Sequence, residues 1–443
     1  MKSIKISLIA ALAAGSFSAL DASVLEQAIK GVEIGGSLRY RYDSFVPNFR
    51  DDGSGGTEYK SDLSGAQRHE PRASISAKVG LGGGFSAVGT LSYNNYDTKT
   101  DGGFGVDKLA IVDSPFNLEE AYLRYDNDFF ATSLSFGRQR LNFIWTDNDN
   151  LGGSVGMKGQ LTNTAVDGLT LTAFMVDSVN EDGDFVGEWD TATAVGGFAS
   201  PTEALFAQNI YGAAILLDYA EAVGLSAQLW YGYLANRASL YMAGLAYELP
   251  ISEAVKWGLQ AQYLGNSPVS YLKGADFETA LGAKVKGGNL FAIATNIEAM
   301  GFDASVGFTH YGKKDAFTFN VLEDMGDIIA AGEELQNTSG SSLHGSQGAN
   351  DIVFGGVGYT IADLVRVGVD YAWGQTKIAE SGGELKDKKQ EVVGRLEYQH
   401  NDNLAFSAFY SYITHKSDAF VDANGEKKTQ KHNNIRLEAR YDF

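Results

Sequence analysis

Cysteine is absent from the 443 residues, which excludes a disulfide framework and any thiolate metal site and leaves oxygen and histidine as the available ligands. Proline is scarce, 6 against 53 glycines, so the backbone has tight-turn residues in plenty and few helix or strand breakers. Basic residues are the minority, 35 Lys and Arg to 55 Asp and Glu, for a formal net charge of -20. Phosphate binding needs clustered cations, so nucleic acid is excluded as a partner. Beyond the first two dozen residues no uninterrupted apolar run of about 18 occurs, and no spanning helix is expected.

What is present begins with MKSIKISLIAALAAGSFSALDAS. Lys2 and Lys5 precede an apolar run from Ile6 to Ala19 and a small-residue exit ending at Ala22, the pattern of a removable export signal. Residues 1–22 are expected to be cleaved, leaving 23–443 as a single domain. The 22 tyrosines and 25 phenylalanines favour strands over helices.

Periodicity carries the fold. In the last nine residues, IRLEARYDF, Ile435, Leu437, Ala439, Tyr441 and Phe443 share one face, and Arg436, Glu438, Arg440 and Asp442 the other. That is strict period two. The alternation recurs at Val365–Trp373 against Arg366, Gly368 and Asp370, and at Ile34–Tyr42 against Glu33, Arg39, Arg41 and Asp43. Tyrosine and tryptophan at strand ends suit interfacial girdles, so the apolar face is expected to meet lipid and the charged face an aqueous interior. Short turns near 82–84, 126–129, 165–168, 219–223, 249–254, 300–301, 360–363 and 400–403 alternate with mostly long, polar connections. The expected fold is all-β: a transmembrane antiparallel barrel of about 18 strands with short periplasmic turns and long extracellular loops. Lipid offers no hydrogen-bond partner, so the barrel must close. A cylinder of that girth is too wide for side chains to fill, which implies a water-filled channel for small solutes. The competing reading is a surface adhesin or structural barrel with a plugged lumen.

The third loop, NFIWTDNDNLGGS, has Asn/Gly chemistry suited to folding back into the lumen and carries Asp147 and Asp149. Loops at 178–208 and 313–350 are also rich in carboxylates. The residues expected to line the pore are Arg39, Arg41, Arg72, Glu120, Arg124, Asp147, Asp149, Arg366 and Arg395. Basic wall facing acidic loops would set up a transverse field, with the acidic excess favouring cations. Two D-x-D-x-x-G fragments, Asp147–Gly152 and Asp182–Gly187, have the carboxylate density a hard divalent cation requires, though neither is an EF-hand. No catalytic group emerges. GFTHYGK has phosphate-loop spacing but Lys314 stands where Ser or Thr is needed. Gly152, Ser154 and Gly156 lack the strand-to-helix context of a nucleophile elbow, and the six histidines are scattered.

Segments including LEQAIKGVEIGGSLRYRYD, RQRLNFIWTDN, VDGLTLTAFMVDS, GNLFAIATNIEAMGFDASVGFTHYG, VLEDMGDIIAAGEEL, VRVGVDYAWGQTK and LAFSAFYSYI resemble, end to end, the major outer membrane protein porins of Campylobacter and its relatives. The resemblance implies an 18-stranded homotrimeric porin, cation preference, passage of small nutrients, and contact with outer-membrane lipid and lipopolysaccharide. It also implies a calcium ion among carboxylates of three loops, carried here onto Asp149, Asp184 and Glu323, with Asp147 or Asp182 as substitutes.

Overall fold

Alternation of apolar and polar residues over stretches of nine to nineteen residues builds one continuous antiparallel sheet. A computed structural model describes residues 32–51, 57–59, 65–94, 97–100, 116–146, 154–180, 208–281, 284–318, 329, 331–333, 335, 347–380, 383–422 and 424–443. The strands are β1 (Val32–Pro47), β2 (Ala66–Gly82), β3 (Phe85–Asn94, continued by Asp97–Thr100), β4 (Phe116–Asn127), β5 (Thr132–Arg140) and β6 (Val155–Val166). They continue as β7 (Leu169–Asn180), β8 (Ile210–Tyr219), β9 (Leu225–Leu234), β10 (Ala238–Ser252), β11 (Val255–Pro268) and β12 (Asn289–Ala299). The last six are β13 (Phe302–Phe317), β14 (Gln347–Ile361), β15 (Val365–Glu380), β16 (Gly383–Asn401), β17 (Leu404–Val421) and β18 (Lys427–Asp442). Each strand pairs with its sequence neighbours, and β1 pairs with β18, so the 18 strands close into a barrel. The seam is fully paired from Ser37↔Asp442 to Pro47↔His432, and reciprocal 2.9 Å bonds join the Gly36 and Phe443 backbones. Among the described barrel strands no edge is left open to lipid.

The two faces differ as the alternation requires. Large apolar residues stand exposed on the outer wall: Leu38 at 49%, Phe136 at 62%, Leu229 at 53% and Val357 at 61%. Such a continuous band would be unstable in water and marks the lipid surface. Strand reversals at 82–85, 127–132, 166–169, 219–225, 252–255, 299–302, 361–365 and 401–404 form the short-turn rim, where the sequence places them. A short helix, Ala220–Val223, caps one of them, and a second, Ala275–Leu281, lies in a loop of the opposite rim.

Two expectations need correction. The connections opposite the short turns are not all long and irregular, since residues 377–389 and 416–430 are mostly strand: β15 and β16 stay paired as far as Glu380↔Gly383, and β17 runs to Val421. Antiparallel pairing continues past the lipid band because each added pair satisfies two more backbone groups. The inner face, moreover, is not uniformly polar. Phe174, Val176, Leu234, Leu240, Met242, Leu264, Leu290 and Ile352 form a buried cluster on it. These positions are covered by loop segments that fold back inside, which need an apolar surface to pack on.

Candidate functional site

The site is the inner wall and what narrows it. On the arc β18–β1–β2, register places inward residues in rows: Arg440, Arg39 and Arg72 in one; Glu438, Arg41 and Glu70 in the next; Arg436, Asp43 and Arg68 in a third. The result is a charge lattice in which arginine and carboxylate alternate across strands in the second and third rows, while the first row is all arginine. Arg41 reaches Glu438 at 2.7 Å, Arg436 reaches Asp43 at 2.6 Å, Arg68 reaches Asp43 at 3.1 Å, and Arg72 pairs with Glu70. Arg39 is only 3% exposed, with Glu70 at 3.7 Å and Glu438 at 3.9 Å. Within the lattice three carboxylates are shared among six arginines, so the positive charge is compensated in part.

Further round the barrel, Glu120 accepts from Thr90 at 2.8 Å and from the Arg140 amide at 3.2 Å. Arg124 makes a forked contact with Asp126, 2.9 Å to each oxygen, near the short-turn rim. On the far arc, Arg366 of β15 crosses β14 to grip Asp303 of β13 through two bonds, 3.0 and 2.6 Å. Gly358 of β14 lies beneath that bridge, and a Cβ there would sit 2.5 Å from Asp303 Oδ2. Only glycine lets the guanidinium pass over the strand. Arg395 of β16 pairs with Asp370 and with Glu333.

Two loop segments lie against this wall. Residues 141–146 leave β5, make a tight turn in which Thr146 N–H donates to Phe143 O at 3.2 Å, and bury Leu141, Phe143, Ile144 and Trp145. Phe143 stacks on the inward Phe174 of β7 with centroids 3.9 Å apart, and Trp145 meets the inward Trp230 of β9 edge-on at 6.3 Å. Lys158 of β6 donates to Arg140 O at 2.7 Å beside the same ring. The first half of the third loop is thus inside the barrel, held by apolar contact worth roughly 1.5–3 kcal/mol per buried side chain.

Of the second segment, Ile329, Ala331–Glu333 and Leu335 are described. The Ile329 amide donates to Gln262 on β11 at 2.8 Å, over an inner-wall recess of about 430 Å³ lined by Asp218, Gln228, Gln260 and Gln262. At its other end the amides of Glu333 and Leu335 both donate to Glu391 Oε2 at 3.1 Å, and Ser411 donates to Oε1 at 2.5 Å. Glu391 is fully buried. Gly332, at φ +74, lies so close that a Cβ would come 2.0 Å from that carboxylate.

Of the residues singled out from the sequence, Arg39, Arg41, Arg72, Glu120, Arg124, Arg366 and Arg395 stand on the inner face, in three groups on different arcs. Asp147, Asp149, Asp184 and Glu323 lie outside the described residues. Among the described residues no group of three His, Asp or Glu is arranged to hold a metal ion. The anchors Glu391, Gln262 and Trp230 were not foreseen. Their signal was the apolar runs FIW and DIIAA inside otherwise polar loops, which cannot remain in water and must find a wall.

A family model described as the Campylobacter major outer membrane protein matches residues 1–443. Among solved structures, the chain is similar to OpdL of Pseudomonas aeruginosa, with a TM-score of 0.64 at 16% identity over 94% of this chain and 99% of that one. It is similar to OccAB4 of Acinetobacter baumannii, with 0.62 at 13% over 93% and 98%, and to OprD of Pseudomonas aeruginosa, with 0.59 at 13% over 94% and 95%. At these identities the likeness concerns the fold alone. No curated protein gives a significant match.

Proposed function

The chain belongs to the Campylobacter major outer membrane protein family, and from that premise we propose that it is a cation-preferring, water-filled channel through which small hydrophilic solutes and ions diffuse passively. That it is an outer-membrane porin follows from family and fold together; family and fold likewise point to a channel rather than an enzyme. The observation that carries the finer reading is the closed barrel whose arginine and carboxylate rows face inward while the exposed apolar band faces outward. Arg41, Arg72, Glu120, Arg124, Arg366 and Arg395 would line the path, joined by Asp147 and Asp149 of the third loop, while Arg39, only 3% exposed, is buried in the wall beneath them. Cation preference is supported by the net charge of -20 together with wall arginines whose charge neighbouring carboxylates offset in part, so that the carboxylate-rich loops set the sign of the potential. In a planar bilayer under a salt gradient, the reversal potential should have the sign for cations; an anion-selective record refutes the selectivity.

The same proposal extends to a calcium ion held by Asp149, Asp184 and Glu323, which would tie three loops together through hard oxygen ligands. Chelator should lower the melting temperature of the wild type and leave an Asp184→Asn/Glu323→Gln variant unchanged; equal response in both removes the ion. A homotrimer is proposed on family grounds, tested by the mass of the detergent-solubilised particle. The segments at 141–146 and 329–335 give some weight to a plugged barrel, and a silent bilayer would favour it.

A further inference from the structure

On the outer wall of β15–β18, above the aromatic band, the register collects lysines on a chain that is otherwise acidic. Lys377 is the cross-strand partner of Lys386, and Lys388 of Lys416. Lys431 stands one row below Lys416 on the neighbouring strand, where it pairs with Thr414. All five share the face of Tyr371, Val392, Tyr410 and Ile435, which are exposed on the lipid side. The alternate residues Asp387, Lys389, His415 and His432 point inward and are buried.

Directly opposed like charges have Cβ atoms about 4.5–5.5 Å apart and destabilise a sheet unless something of opposite sign lies between them. The outer carboxylates of this arc are already engaged. Asp351 holds His310 at 2.6 Å and Lys377 at 3.7 Å, Glu384 holds Lys314 and Lys386, and Asp418 holds Lys427 at 2.6 Å. Among the described residues Lys388, Lys416 and Lys431 make no direct ion pair, and Lys388 feels only the longer-range field of Asp418. Below them Gln390, Thr414 and Asn433 supply hydrogen-bonding groups, and then Tyr371, Trp373, Tyr410 and Tyr412 begin the girdle. The order from long-loop rim to midplane is therefore cation, neutral polar, aromatic, aliphatic, the profile that a phosphorylated, acyl-bearing lipid presents in reverse.

We propose that Lys388, Lys416 and Lys431 form a binding site for the phosphate groups of an outer-leaflet glycolipid, whose acyl chains lie along the wall of β15–β18. The site gives the lipid partner of the proposed porin a location, and it rests on the long-loop rim facing outward. The bridging phosphate offsets the Lys388–Lys416 repulsion, which Asp418, in direct contact with Lys427, relieves only from a distance.

The test uses detergent-purified full chain titrated with bis-phosphorylated lipid A and followed by native mass spectrometry. Near an anionic surface each lysine contributes on the order of a fivefold factor in affinity, so Lys388→Gln/Lys416→Gln/Lys431→Gln should bind on the order of a hundredfold more weakly. Lys256→Gln, on the inner wall, should bind as the wild type does. Equal affinity of the triple variant and the wild type overturns the proposal. So does competition by inorganic phosphate at the same concentrations, which would mean an anion site without lipid. If the triple variant does not fold, Lys416→Gln alone decides, about fivefold weaker binding supporting the site and none refuting it. Single-channel recording of the same preparation separates failure of the lipid site from failure of the porin reading.

Discussion

Glu391 is the residue on which the 329–335 segment hangs, and its replacement by glutamine is the most informative single perturbation. The ionised carboxylate accepts two backbone N–H groups from the segment and one hydroxyl from Ser411. Hydrogen bonds to a charged acceptor contribute about 1.5–3 kcal/mol each. The amide keeps the volume and one acceptor oxygen, so it can serve either Ser411 or the loop amides but not all three. Losing the two loop bonds amounts to about 3 kcal/mol at the lower end, a shift of roughly a hundredfold in the ratio of docked to released segment. The assay is single-channel conductance at fixed salt, together with hydrogen exchange of the Glu333 and Leu335 amides. Release should raise the mean conductance, broaden its noise and speed exchange at both amides. Unchanged exchange in folded Glu391→Gln and Glu391→Ala channels alike would refute the reasoning, since the amide oxygen can still serve the loop in the first but nothing can in the second.

Three further outcomes follow from the same geometry. Trp145→Ala removes a buried ring from the third-loop anchor, a loss of about 3–5 kcal/mol for a packed tryptophan, and should raise conductance while leaving barrel circular dichroism unchanged. Gly358→Ala puts a methyl group into the Arg366–Asp303 bridge, and overpacking of this kind costs about 1–3 kcal/mol, read as a lower melting temperature that a Gly358→Ala/Arg366→Ala double variant partly restores. In the last loop, Lys428 at 2.9 Å and the amides of Asn424 and Glu426 hold the Asp422 carboxyl below the ordinary carboxylate range. Its contribution to loop stability is thus present above that ordinary range and lost as pH falls through the lowered value. The Asp422 carboxyl carbon should accordingly titrate below 3.8 by NMR, and a midpoint above that refutes the contact.

How far the sequence reaches can be judged on particular strands. Arg436, Glu438 and Arg440 alternating with Leu437, Ala439 and Tyr441 define two faces without any knowledge of neighbours, because side chains in a strand alternate with a period of two. Their assignment to water and lipid, the strand number and the positions of the short turns are consequences of that local rule plus the need to close the sheet. What the sequence could not decide is register and loop return. That Arg39 faces Arg72 and Arg440 rather than a carboxylate depends on a shift of a few ångströms between β1 and two other strands, one of them at the opposite end of the chain. That Trp145 packs on Trp230, and that Glu333 and Leu335 hang from Glu391, depends on where a polar loop bearing a few apolar residues finds a matching wall. Periodicity is a property of one strand, and it is fixed by backbone stereochemistry; the narrowing of the lumen is a property of pairs of distant segments, and only tertiary packing selects among them.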